Sequence, residues 1–186
     1  MTVGLPQRLA VLACLCGLLC AAQTGGLWLD VPFVKQEKDG CGAASIAMVL
    51  QYWQKQAGDI PASSTDAALI QRTLYSPKAH GIYASDMERY FQQHGFKTFA
   101  FAGTWDDLRQ HLEKGRPLIA ALKPSPGESP RHYVVVVGLD TKQNLVLVND
   151  AAQRKLLKED RGSFEKEWSA VGRWTLLAVP RLQKPQ

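Results

Sequence analysis

The sequence contains few cysteines, and most of them lie in one short segment. Of the four cysteines, Cys14, Cys16 and Cys20 fall in an apolar N-terminal stretch, and Cys41 stands alone further along the chain. If that stretch is removed, Cys41 has no partner for a disulfide within its own chain. One cysteine and scattered histidines also lack the close ligand spacing that a zinc site requires, so we predict no metal site.

The N-terminal apolar run is too short to cross a membrane easily. Residues 9–22 make up 14 residues, whereas a membrane-spanning helix needs roughly 20. The run follows Arg8 and ends in small residues, which is typical of a secretory signal peptide. We therefore predict cleavage after Ala22 and an exported domain, residues 23–186, in the periplasm or outside the cell. Lipid attachment at Cys14 and an uncleaved membrane anchor are the alternatives; no other membrane contact is predicted.

Long runs of one charge are also missing. The chain has 22 basic and 17 acidic side chains, a formal net charge of +5, and these charges are scattered. The densest basic stretch, residues 154–158, is followed directly by Glu159 and Asp160. Nucleic-acid binding requires basic side chains clustered on one face, so we predict a solvated surface and no nucleic-acid partner. No repeat or low-complexity segment divides residues 23–186, which fits one domain.

The first half of the sequence predicts helices. Residues 41–54 have apolar side chains at helical spacing and small residues near the start. Further helices are predicted to start near Ser64 or Thr65, at Ser85 and at Thr104. A capping-box pattern at Ser85, with Glu88 three residues on, supports the start of the third helix, and Asp107, three residues after Thr104, supports the start of the fourth.

The second half of the sequence predicts strands. Residues 134–137 are four consecutive valines, which indicates a central strand buried on both faces. Helices followed by antiparallel strands predict an α+β fold. The predicted strands are apolar, β-branched or aromatic runs bounded by turn residues, at 118–122, 132–137, 145–148 and 174–179.

Cys41 is the candidate nucleophile. It follows a tight turn at Asp39 and Gly40 and begins the first predicted helix, whose N-terminus favours a thiolate. A single thiol in an oxidising compartment is a liability unless it has a function. A cysteine nucleophile also needs donors for an oxyanion, and Gln36, in the loop just before, is the candidate to act with the backbone N–H of Cys41.

His132 and Asp150 are the candidates for the base and for the group that orients it. His132 begins one predicted strand and Asp150 ends the next. The start of one strand of an antiparallel hairpin lies beside the end of the other, so we expect these side chains to be neighbours. Of the other histidines, His80 is predicted in a flexible segment, and His94 and His111 on polar helix faces.

Three segments resemble the double-glycine, bacteriocin-processing family of cysteine peptidases. Residues 29–50, with DGCGAAS at their centre, resemble its cysteine motif. Residues 132–138 (HYVVVVG) resemble its histidine motif, and residues 148–150 (VND) resemble its aspartate motif. The resemblance extends over residues 29–180 and implies a papain-like fold, N-terminal helices packed on a C-terminal antiparallel sheet.

The resemblance also implies a role for each candidate. Cys41 would be the nucleophile, and His132 would act first as a base and then as an acid. Asp150 would orient the imidazole, and Gln36 would complete the oxyanion hole. The implied reaction is hydrolysis of a peptide or protein through a thioester, without a cofactor.

The chain departs from the better-known members, which are domains of export transporters that cut leader peptides after two glycines. Its predicted export signal leads us to expect a stand-alone, exported member. Ala43 and Ala151 stand where relatives often have proline, which affects the expected specificity more than the chemistry. The small residues after Cys41 predict cleavage beside small residues such as glycine.

Three other functions are compatible with the sequence. An acyl or peptidyl transferase would use the same triad with an amine in place of water. A cell-wall amidase shares the fold type, although the chain has no wall-binding repeat. A non-catalytic peptide-binding module would not need all three of Cys41, His132 and Asp150.

Overall fold

The computed structural model describes residues 26–57, 60–123 and 131–181. The predicted signal peptide and Cys14 lie outside these residues. No helix within the described ranges is both long and apolar enough to cross a membrane. The α-helices of the described part are α1 (Cys41–Ala57), α2 (Ala67–Leu74), α3 (Ala84–Gln93), α4 (Trp105–Glu113) and α5 (Arg161–Ser169).

The strands form a single antiparallel sheet of seven strands. Six of them follow the order β2-β7-β3-β4-β5-β6, and the short β1 pairs with β4. The strands are β1 (Leu27–Trp28), β2 (Phe96–Ala102), β3 (Leu118–Leu122), β4 (His132–Asp140), β5 (Leu145–Asn149), β6 (Leu157–Asp160) and β7 (Trp174–Pro180).

Strand β4 is the centre of the sheet and separates two apolar cores. It lies between β3 and β5, and the valines from Val134 to Val137 are fully buried, as their uninterrupted run predicts. Val135 and Val137 pack with side chains of α1, α2 and α3. Val134 and Val136 pack with side chains of α4 and α5 on the opposite face. Helices therefore cover both faces of the sheet.

The helix start predicted from the sequence agrees with the structure at α4 but not at α3. The Thr104 hydroxyl accepts from the backbone N–H of Asp107 at 3.1 Å, and the Asp107 carboxylate accepts from the Thr104 backbone, so the two residues form a capping box and the predicted helix start is confirmed. The capping box predicted at Ser85 is wrong. Helix α3 begins one residue earlier, after Tyr83, without a side-chain cap, and the Asp86 carboxylate pairs with Arg89 instead.

The helix predicted to start near Ser64 or Thr65 is α2, but it starts two to three residues later than predicted, because a short 3₁₀ helix, Ala62–Thr65, precedes it. Helix α2 begins after Asp66, whose carboxylate accepts from the backbone N–H groups of Ala68 and Leu69 at 2.8 and 3.0 Å. Helices and strands also alternate more than expected, because β2 lies between α3 and α4 and α5 lies between β6 and β7.

Candidate active site

A tight turn delivers Cys41 to the start of α1. The backbone N–H of Gly40 donates to the carbonyl of Glu37 at 3.0 Å, and Asp39 adopts a left-handed conformation with φ of 56°. Cys41 is then the first residue of the helix, half-buried and a free thiol. Next to it, a side chain at Gly42 would come within 3.1 Å of Ile82, so glycine allows the two segments to approach closely.

The β4–β5 hairpin brings His132 and Asp150 together. The strands pair antiparallel, with Val135 opposite Asn149, so the start of β4 lies beside the residue after β5. The His132 Nε2 and Asp150 Oδ1 atoms are 2.8 Å apart. The side chains are 19% and 3% exposed, so the contact is shielded from water. The neighbourhood predicted from the hairpin is confirmed.

Two neighbours on the same turn complete the bonding of the Asp150 carboxylate. The backbone N–H of Ala152 donates to Oδ1 at 2.9 Å, and the Gln153 side-chain amide donates to Oδ2 at 2.8 Å. This contact of Gln153 was not predicted from the sequence. The signal was present, because an aspartate at a strand end commonly accepts from groups two or three residues later.

Helix α1 and strand β4 hold Cys41 next to the same imidazole. The Ser45 hydroxyl, one helical turn after Cys41, donates to the carbonyl of Tyr133 at 3.4 Å, so the start of the helix is tied to the start of the strand. The Cys41 side chain lies close enough to His132 to be one of the groups that favour the charged ring. The structure therefore brings together Cys41, His132 and Asp150.

The charges of the site stabilise one another. Burial disfavours the charged imidazole, but hydrogen bonds and electrostatic attraction from Asp150 and Cys41 outweigh this cost and raise the pKa of His132 to about 10. Burial likewise disfavours the Asp150 carboxylate, but His132, the Ala152 N–H and Gln153 lower its pKa overall. The arrangement favours an imidazolium that is paired with the Asp150 carboxylate and lies near the Cys41 sulfur.

A cavity of about 340 Å³ opens beside Cys41. Its walls include the segment from Ala79 to Ala84, together with Arg131 and Tyr133. Burial is the main cause that raises the pKa of Tyr133 to about 12, so this phenol stays neutral. The cavity can accept a chain that approaches the thiol.

Gln36 lies in the loop before α1. Its backbone N–H donates to the carbonyl of Ala151 at 3.0 Å, next to Asp150. Its side chain lines a second cavity of about 350 Å³, whose walls include Gly40, Ala44 and Gln71. The side-chain oxygen of Gln36 is buried without a hydrogen-bond partner among the described residues. The contribution of its amide to an oxyanion hole stays a prediction.

The remaining histidines differ in part from the expectation. His80 is exposed, with φ of 47°, and lines the cavity beside Cys41. His94 and His111 are half-buried and not fully on polar faces. The His94 Nδ1 atom lies 2.8 Å from the carbonyl of Tyr90, and burial lowers the pKa of His111. Within the part of the chain that the structure describes, no group of three His, Cys, Asp or Glu side chains could hold a metal.

Known proteins share this architecture. The family model described as "Peptidase_C39 like family" matches residues 28–175, which is most of the chain. No curated protein sequence matches significantly.

Several solved structures have the same fold. A putative C39-like peptidase from Bacillus anthracis is 20% identical, with a TM-score of 0.61 over 86% of this chain and 100% of that one. The peptidase domain of Streptococcus ComA, a bifunctional ABC transporter, is 21% identical, with a TM-score of 0.60 over 80% of this chain and 97% of that one. A double-glycine motif protease from an AMS/PCAT transporter, in complex with the leader peptide, is 21% identical, with a TM-score of 0.60 over 83% of this chain and 94% of that one. The predicted papain-like α+β fold is confirmed.

Proposed function

Because the chain belongs to the Peptidase_C39 like family, we propose that this peptidase hydrolyses peptide bonds with Cys41 as nucleophile and His132 as base and acid. Asp150 orients the imidazole, and Gln36 donates to the oxyanion. The observation that carries the proposal is the contact of 2.8 Å between His132 and Asp150, on an imidazole that also interacts with the thiol at the start of α1.

The reaction follows from these positions. The Cys41 thiolate attacks the carbonyl carbon of the scissile bond, and the carbonyl oxygen takes up the negative charge. The backbone N–H of Cys41 and the Gln36 amide donate to that oxygen. His132 transfers its proton to the leaving amine, which departs as the C–N bond breaks and leaves a thioester. His132 then removes a proton from water, which attacks the thioester; the C–S bond breaks, and the carboxylic acid leaves while the Cys41 thiolate and the His132 imidazolium are regenerated.

The substrate proposal is a peptide with small residues, such as glycine, beside the scissile bond. This preference is proposed from the small residues Gly42, Ala43 and Ala44 that follow Cys41 in the sequence. In the fold these three residues are buried, and Gly42 packs against Ile82. One similar structure, the double-glycine motif protease, holds a leader peptide, which supports a peptide substrate in general.

The location of the reaction is proposed from the sequence. Residues 1–22 have the pattern of a signal peptide, so the proposed enzyme is exported and acts in the periplasm or outside the cell. Cys41 is a free cysteine, and the described residues contain no second cysteine with which it could form a disulfide in an oxidising compartment.

One set of variants tests the chemistry. We expect wild-type protein to cleave members of a peptide library, with small residues favoured beside the cut, and Cys41→Ala to lose cleavage by at least about 10⁴-fold. Iodoacetamide should label wild-type Cys41 rapidly at neutral pH, and His132→Ala should label much more slowly. His94→Ala is the matched control and should label at the wild-type rate.

The results separate the parts of the proposal. Cleavage by Cys41→Ala would exclude the thiol as nucleophile, and equal labelling rates would remove His132 from its role. A preference for bulky residues at the cut would contradict the specificity. The intact mass of the labelled protein, after expression with its full N-terminus, also shows whether residues 1–22 have been removed.

A further inference from the structure

Asn149, the residue before Asp150, is a buried polar side chain to which the proposed reaction gives no role. It ends β5 and is 0% exposed. An amide buried in this way costs free energy unless its donors and acceptor are paired. The apolar residues Val148 and Ala151 on either side of the Asn149–Asp150 pair are also fully buried. The contacts of the Asn149 amide therefore require an explanation.

The amide nitrogen of Asn149 holds the segment that leads to Gln36. Its Nδ2 atom donates to the carbonyl of Val31 at 3.1 Å, with the carbonyl of Pro32 at 3.5 Å. Further along the same segment, the backbone N–H of Gln36 donates to Ala151 at 3.0 Å. The strand end that carries Asp150 is thus joined to the Gln36 segment on both sides of Asp150.

The amide oxygen of Asn149 holds the turn that surrounds Asp150. It accepts from the backbone N–H of Leu156 at 3.0 Å, and Leu156 has a left-handed backbone with φ of 52°. A non-glycine residue in this conformation is strained and needs support from its surroundings. The turn closed by this bond also carries Ala152 and Gln153, which donate to the Asp150 carboxylate.

We propose that Asn149 is a positioning residue that fixes the Asp150 carboxylate and the Gln36 side chain relative to each other. One end of its amide shapes the turn that donates to Asp150, and the other end holds the segment that ends in Gln36. The inference rests on the proposed roles of Asp150 and Gln36. Its consequence is that the orientation of the imidazole and the placement of the oxyanion donor depend on one buried side chain.

Asn149→Leu tests this coupling because leucine has the same number of side-chain heavy atoms with the same branching and cannot form either hydrogen bond. A small displacement of catalytic groups lowers turnover strongly, so we expect kcat to fall roughly 10- to 100-fold, with KM changed by no more than about 2-fold. Tyr52→Phe is the matched control. It removes another buried side-chain bond to the backbone, 2.8 Å from the Tyr52 hydroxyl to Gly115, away from the site. We expect it to lower kcat by less than about 2-fold.

A double variant separates positioning from general loss of structure. In a variant that lacks the Gln36 side chain, displacement of that side chain cannot lower kcat any further. The losses in Gln36→Ala/Asn149→Leu should therefore be smaller than the product of the single losses, by about 5-fold or more. If the single losses multiply fully, or if Asn149→Leu behaves like Tyr52→Phe, Asn149 is a structural residue only.

Labelling of Cys41 keeps this test independent of the peptidase assay. Iodoacetamide alkylation depends on the imidazole and its partner but forms no oxyanion, so Asn149→Leu should slow it and Tyr52→Phe should not. If wild-type protein cleaves no peptide, the proposed function fails, while unequal labelling rates would still support the positioning role of Asn149. Equal labelling rates would overturn it. If the leucine variant melts below the assay temperature, Asn149→Ser, too short to join both segments, takes its place in the same comparison.

Discussion

On the sheet side of the site, both oxygens of the Asp150 carboxylate accept hydrogen bonds, whereas on the helix side the side-chain oxygen of Gln36 has no partner among the described residues. The difference follows from charge. A buried ion is costly unless every lone pair is bonded, while an unpaired neutral amide oxygen costs only about 1–3 kcal/mol.

The comparison suggests two separable tasks. In the proposed mechanism, the sheet side, His132 and Asp150, prepares the nucleophile before a substrate arrives. The helix side, the Cys41 backbone and Gln36, would act on charge that develops only during the reaction. Variants on the sheet side should therefore change both labelling and hydrolysis, and a change at Gln36 should affect hydrolysis alone.

Asp150→Asn should produce the largest effect of the variants that leave Cys41 and His132 in place. We expect kcat/KM to fall by about 10²- to 10⁴-fold, because the imidazole loses its orienting carboxylate. Hydrogen bonding and attraction from Asp150 help to raise the pKa of His132, so the variant should have a lower pKa at this ring. The imidazolium is then lost at lower pH, and the alkaline limb of the pH profile of kcat/KM should move to lower pH.

The control for this change is Asp140→Asn at the other end of β4. The Asp140 carboxylate accepts from the backbone N–H groups of Lys142 and Gln143 at 3.1 and 2.9 Å, in the hairpin turn. It tests loss of a carboxylate in the same hairpin, away from His132. A pH profile that moves equally in both variants would show that Asp150 has no specific effect on the imidazole.

Gln36→Ala should have a smaller and more selective effect. We expect kcat to fall by about 10²- to 10³-fold, because one oxyanion donor is lost, while the rate of Cys41 labelling by iodoacetamide stays unchanged. Gln71→Ala is the control, since Gln71 lines the same cavity and also has a buried side-chain oxygen without a partner among the described residues. Slower labelling in Gln36→Ala would break the proposed division between the two sides.

The sequence was sufficient for the contact between His132 and Asp150 because hairpin topology determines it. Four consecutive valines identify the central strand, the turn at 139–144 defines the hairpin, and antiparallel pairing then brings the two ends together. Cys41 follows from its turn and helix start. No local pattern predicts its approach to His132, which depends on the packing of α1 against β4.

Two of the elements that were not predicted from the sequence, β6 and α5, are stabilised mainly by tertiary contacts. Strand β6 reads LKED, with one apolar residue, and it is an edge strand paired only with β5. Helix α5 has only Phe164 and Trp168 buried against the sheet. The role of Asn149 was missed for the same reason, since its partners Val31 and Leu156 are identified only by the fold.

A change at Glu159 in β6 should have the smallest effect, and that effect is on folding stability. Glu159 can be compared with Asp150, whose buried carboxylate is hydrogen-bonded. Glu159 is half-buried and pairs in register with Val146. Burial, reinforced by Glu167 and Asp150 and opposed by His132, raises the pKa of Glu159 from 4.5 to about 7. The folded protein therefore holds this proton more tightly than the unfolded chain does, and stability falls as the pH rises from 4.5 towards and through about 7.

Glu159→Gln removes the charge that the fold disfavours. At about pH 8 we expect its Tm to exceed that of wild type by on the order of a few degrees, because partial solvent exposure limits the effect; near pH 4.5 the difference should disappear. Thermal unfolding at both pH values measures this, with Glu88→Gln in α3, on the opposite face of the sheet, as control. An equal difference in Tm at both pH values would mean that the added stability comes from packing. A difference confined to high pH would show that, unlike the Asp150 carboxylate, the charge on Glu159 lacks bonding sufficient to offset its burial.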